Sequence, residues 1–73
     1  MNLSIEEKLN EWFTYHAPTE DQIPKYNAIR QAARDFADVI VQNTPSCADQ
    51  TVALRRIREC AMIANQAIAC RGI

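Results

Sequence analysis

The segment from Ala48 to Ala69 reads as one long helix with apolar or small residues on more than one of its sides. Leu54, Ile57, Ala61, Ala64 and Ile68 follow a 3-4-3-4 spacing and form one continuous stripe. A second row runs through Ala53, Cys60 and Ala67, and Val52, Met62 and Ile63 widen the apolar surface beyond the main stripe. One stripe can be covered by a neighbouring helix of the same chain. A helix apolar on a second side needs a second cover. In a chain of 73 residues, the expected cover is another copy of it.

That length corresponds to one domain. Small domains bury a low fraction of their surface and lean on metals, disulfides or oligomerisation. A hydrophobic content of 48% predicts a globular chain, and the single Gly favours helices over a many-turned β fold. The net charge of -1 supplies no general attraction to DNA or to a membrane surface. The charge is uneven: residues 1–42 carry an acidic excess, and residues 43–73 a basic one. Arg55, Arg56 and Arg58 stand close together, either as a solvated helix face or as a phosphate-facing patch that neighbouring chains would concentrate.

Three cysteines, Cys47, Cys60 and Cys70, cannot all pair within one chain, and their spacing fits no metal motif. They read as free thiols of a reducing compartment, with Cys60 as a small core residue. No metal ligand set and no cofactor motif is predicted. No signal-peptide pattern is read, and no apolar run approaches the roughly 20 residues of a membrane span.

Ser4-Ile5-Glu6-Glu7 is a capping-box pattern, so a short helix is expected from there to about Phe13. Ile5, Leu9 and Trp12 or Phe13 mark its apolar side. At this length it must dock onto something. Pro18 marks a connection. Thr19-Glu20-Asp21-Gln22 offers a second capping box, and Pro24 is tolerated only near a helix start, which places that start near Asp21. Tyr26, Ile29, Ala33, Phe36 and Ile40 then match the stripe of the last helix. Asn43-Thr44-Pro45-Ser46 breaks the pattern. Ser46 is the expected cap of the last helix, which runs to about Cys70, with Gly72 as its stop. The predicted fold is all-α: a short N-terminal helix and a long antiparallel two-helix hairpin, assembled as a homo-oligomer.

Catalytic signals are poor. No Gly-rich phosphate loop and no zinc spacing occurs, His16 is the only imidazole, and nothing in the sequence places a Cys beside it. No catalytic residue is predicted. Trp12, Phe13, Tyr15 and His16 concentrate rings on a helix end and a connection. Trp12 and Phe13 can pin the short helix, whereas Tyr15 and His16 are free to form a stacking platform. Tyr26, Arg30 and Arg34 share one side of the middle helix, as a salt-bridge row with Arg34 reaching Asp38, or as a ring and guanidinium pair for a nucleotide.

The run Tyr15-His16-Ala17-Pro18, then Gln22, then Tyr26-Asn27-Ala28-Ile29-Arg30, resembles a family of small phage proteins. So does the tail from Arg58 to Ala69. The family is the phage anti-CBASS cyclic-oligonucleotide sponge, whose hairpin domain is shared with a phage anti-Thoeris sponge. The resemblance spans about Phe13 to Arg71, with Ile63 standing where the family carries Trp. It implies a homo-hexamer that holds cyclic dinucleotides between protomers and cyclic trinucleotides where three chains meet, without cleaving them. It also implies action in the cytoplasm of the infected bacterial host.

On that resemblance Tyr15 packs against the dinucleotide and Arg30 holds its phosphate. Arg71 serves the trinucleotide pocket, His16 belongs beside it, and Trp12 is a candidate for base stacking. The rival readings are a small helical interaction module that inhibits a host protein through its apolar second face, and a phosphodiesterase acting on the same messengers.

Overall fold

The computed structural model describes residues 3–73. Three helices occur among them and no strand: α1 (Ile5–Trp12), α2 (Ile23–Asn43) and α3 (Ala48–Ala69). The long α2 and α3 pack against each other as a hairpin, giving a body of 45 × 27 × 20 Å.

Each helix end has a local cause. Ser4 caps α1, its hydroxyl accepting from the Glu7 N–H at 3.1 Å. Half of the second capping box forms: the Thr19 N–H donates to Gln22 Oε1 at 3.0 Å. The carbonyl of Thr19 also accepts from the N–H of Ile23 at 3.2 Å. That turn is therefore already helical, yet α2 begins at Ile23, two residues beyond the expected start. Pro24 has no N–H to give the carbonyl of Glu20, so the run of bonds starts only after it.

At the other end of α2, Thr44 is extended, as a residue before proline should be, and its hydroxyl covers the Ile40 carbonyl at 2.6 Å. Ser46 does not cap α3. Cys47 holds that position in extended geometry with no side-chain cap. Gln50 instead ties the turn, donating to the carbonyl and hydroxyl of Thr44 at 3.3 and 3.1 Å.

The seam between α2 and α3 is half-buried. Ile29, Ala33 and Ile40 face Leu54, Ile57, Ala61, Ala64 and Ile68 with intermediate exposure. In the second row of α3, Cys60 and Ala67 are exposed and Ala53 is half-buried; Val52, Met62 and Ile63 are exposed. Cys60 is exposed rather than in the core, because its row points away from the middle of the seam. With Ile29, Phe36, Ile40, Ala53 and Ile57 it lines an apolar groove of about 600 Å³ along the hairpin. Among the described residues, the one buried hydrophobic is Cys70, 2% exposed. No described helix is long and apolar enough to cross a membrane.

Candidate functional site

The end of α1 and the C-terminal residues meet at the open end of the hairpin, and polar bonds hold them there. Trp12 Nε1 donates to the carbonyl of Ile73 at 2.9 Å. Gln22 Nε2 reaches the carbonyl of Ile68 at 3.3 Å. Gln66 Nε2 lies 3.3 Å from the carbonyl of Trp12 and 3.0 Å from Cys70 Sγ. Trp12 thus pins α1 as expected. Phe13 does not, at 83% exposed.

His16 belongs to this junction too. Its Nε2 lies 2.8 Å from the carbonyl of Glu11 and 3.5 Å from the Glu11 carboxylate. Glu11, His16 and Cys70 bring their ligand atoms within 4.8 Å of one another. Cys70 is therefore the thiol beside the only imidazole, a pairing that local spacing does not signal.

The helix stop differs in register from the expected one. Gly72 N–H bonds the carbonyl of Ala67 at 3.0 Å, and Arg71 N–H bonds that of Ile68 at 3.2 Å. This is a Schellman ending with Arg71, not glycine, in the left-handed position at φ 53. A side chain there costs about 1–2 kcal/mol. Gly72 follows at φ 82.

Three hollows run from this junction along the hairpin. The first gathers Tyr15, His16, Asp21, Gln22, Ala69 and Arg71 in about 450 Å³. The ring of Tyr15 is 84% exposed on its rim. Thr19 donates to the Asp21 carboxylate at 2.6 Å, and that bond, first among several causes, holds the Asp21 carboxyl below its ordinary value. The second hollow shares His16 and adds Pro18, Ile23, Tyr26, Asn27, Arg30 and Asn65. The third shares Arg30 and Asn65 and adds Arg34, Arg58 and Met62. Three shared residues, His16, Arg30 and Asn65, therefore make the three hollows one strip.

Of the expected site residues, Tyr15, His16 and Arg71 lie together and His16 lies with Arg30. Trp12 lies apart, in a hollow with Ile63, Gly72 and Ile73. Arg30 is held by Asn27 Oδ1 at 3.0 Å, and Arg34 pairs with Asp38 at 3.3 Å, as its i, i+4 spacing predicts. Arg56 pairs with Glu59 at 2.9 Å, whereas Arg58 joins the third hollow.

Asn65 is the residue the sequence reading passed over. Its Oδ1 is buried and has no hydrogen-bond partner, at the junction of two hollows that contain guanidinium groups. The available signal was an amide set beside the apolar stripe of Ala61, Ala64 and Ile68. An orphaned acceptor at a basic, open site is suited to a donor on a ligand.

A family model described as the Acb2/Tad1 hairpin domain matches residues 6–69. The chain belongs to this family. The Acb2/Tad1 proteins are the phage anti-CBASS and anti-Thoeris sponges, so this is an anti-defence sponge family by descent. The match spans nearly all of α1, both hairpin helices, and Trp12, Tyr15, His16 and Arg30; Arg71 lies two residues past its end. Comparison with curated proteins and with solved structures gave no match.

Proposed function

We propose that this protein captures cyclic di- and trinucleotide messengers of bacterial CBASS immunity without cleaving them, in sites completed between copies of the chain. The observation that carries this reading is the Acb2/Tad1 match across the whole hairpin. The strip of hollows supports it, since the rings of Tyr15, His16 and Tyr26 line it together with the guanidinium groups of Arg71, Arg30, Arg34 and Arg58.

The chemistry follows from symmetry. A cyclic dinucleotide carries two phosphates and two base faces. Two copies related by a two-fold axis supply two Tyr15 rings and two Arg30 guanidiniums from one position each. Three copies meeting at their C-termini supply three Arg71 for three phosphates, with His16 beside them. The Arg71 backbone favours the same reading, because strain retained at an exposed cation is characteristic of functional positions. Trp12 lies in a separate hollow, with its indole N–H bonded to Ile73, so a base stacked on its ring face would sit apart from the Tyr15 and Arg30 strip.

Assembly is part of the proposal. A hairpin whose two helices fully bury no residue gains stability when another copy covers the groove between Phe36 and Cys60 and the exposed face of Ile5 and Leu9. The family implies a hexamer acting in the cytoplasm of the infected host.

Native mass spectrometry of the full chain, alone, with a cyclic dinucleotide and with a cyclic trinucleotide, tests the whole reading. The expected result is an oligomer that retains intact ligand. Release of a linear product points to a phosphodiesterase. A folded oligomer that binds neither ligand class points to an interaction module directed at a host protein.

A further inference from the structure

We propose that Glu11, His16 and Cys70 form a binding site for a borderline divalent cation, Zn²⁺ fitting best, that clasps α1 to the C-terminal end of α3. The three ligand atoms come from three separate segments, and all lie within 4.8 Å of one another. They converge on one point. The carbonyl oxygen of Glu11 sits 2.8 Å from His16 Nε2 and 3.6 Å from Cys70 Sγ, and the Glu11 carboxylate lies 3.5 Å from the same nitrogen. Tetrahedral zinc with bonds of about 2.0–2.3 Å has ligand-to-ligand edges of roughly 3.3–3.8 Å. Small side-chain rotations therefore suffice to close the site. The fourth position falls to the Glu11 carbonyl or to a water.

The donor set selects the metal. One thiolate, one imidazole and one carboxylate suit Zn²⁺ and disfavour Mg²⁺ and Ca²⁺, which require oxygen. The sulfur already has an outer partner, since Gln66 Nε2 lies 3.0 Å from it and also reaches the carbonyl of Trp12. Access is graded: Cys70 is buried, while the His16 and Glu11 side chains remain 20% and 26% exposed and leave a way in. On binding, the cation replaces the thiol proton of Cys70, which passes to solvent.

The clasp acts where the fold is weakest. α1 has eight residues and buries none of them. Helices this short are marginal in isolation. Cys70 directly precedes Arg71 and His16 directly follows Tyr15, so a metal here also fixes the backbone carrying both.

The test uses the full chain, stripped with chelator and then given Zn²⁺ or Co²⁺ alone. The expected result is uptake of one ion per chain, a higher Tm with Zn²⁺, and a sulfur-to-cobalt charge-transfer band with Co²⁺. Cys70→Ser abolishes the band, whereas the double variant Cys47→Ser/Cys60→Ser keeps it. Gln66→Ala lowers affinity by about 10–100-fold. Should Cys70→Ser fail to fold, Glu11→Gln and Gln66→Ala carry the comparison. No uptake by the native chain, or a band that survives in Cys70→Ser, overturns the proposal. None of these readouts involves a nucleotide, so failure here and failure of the sponge reading remain distinct.

Discussion

The two ends of the hairpin are built on different principles. At the turn end every side-chain bond is local: Asn43 to Val39, Thr44 to Ile40 and Gln50 to Thr44. At the open end local bonds are joined by others between residues far apart in sequence, Trp12 to Ile73, Gln66 to Trp12 and Gln22 to Ile68. Between them lies a seam of small and branched apolar residues and the groove it leaves uncovered. The apolar middle needs another surface to be stable in water. The polar end supplies a rigid frame for exposed rings and cations. On the proposed function, association and ligand capture would occupy different parts of one short rod.

The division can be broken most strongly at the groove. Phe36→Asp sets a charge on a wall that assembly would bury, at a cost of several kcal/mol. Because Phe36 is 55% exposed in the single chain, the variant should stay helical by circular dichroism while losing oligomers in light scattering. An oligomer of unchanged size would show that copies associate through another face.

Next in size are losses at the hollows. Tyr15→Ala and Arg30→Ala should each weaken dinucleotide binding by about 2–3 kcal/mol in calorimetry, with the oligomer intact. Arg71→Ala should fall selectively on the trinucleotide. Tyr15 and Arg71 share one hollow within a chain, so this experiment is a sharp one. Loss of both ligands in Arg71→Ala would mean a single pocket.

Arg71→Gly separates stability from binding. Glycine relieves the left-handed strain at φ 53, so thermal unfolding should rise by about 1 kcal/mol, or about 4–8 °C, while trinucleotide affinity falls. A lower Tm would indicate that the guanidinium holds the empty fold together.

The smallest effect concerns pH. The Thr19 hydroxyl holds the Asp21 carboxyl below its unfolded value. The resulting stabilisation is complete above the unfolded value and is lost as pH falls through the folded one. Asp21→Asn should therefore lower Tm slightly at neutral pH, flatten that part of the acid-side decline, and leave Tm unchanged at a pH below the folded value.

Much of this architecture follows from local rules. The bounds of α3, the Ser4 cap, the Arg34 to Asp38 pair and the doubly apolar character of α3 all rest on neighbours within a turn or two. Residues that matter through distant contacts were harder to read. Ser46 looks like a cap, yet Cys47 takes the position. Gly72 looks like the left-handed stop, yet Arg71 does. Cys60 looks like core and lies on an open wall.

Helix periodicity and capping chemistry act over three or four residues, so the amino-acid order alone determines the three helices, their pairing stripes and the surplus of apolar surface. Which hollows share Arg30 and Asn65 depends on how α2 packs on α3, and which thiol meets the imidazole and where the C-terminal residues meet Trp12 and Gln22 depend on how the chain closes the open end of the hairpin. Those contacts join residues some 46–61 positions apart, and no local spacing records them.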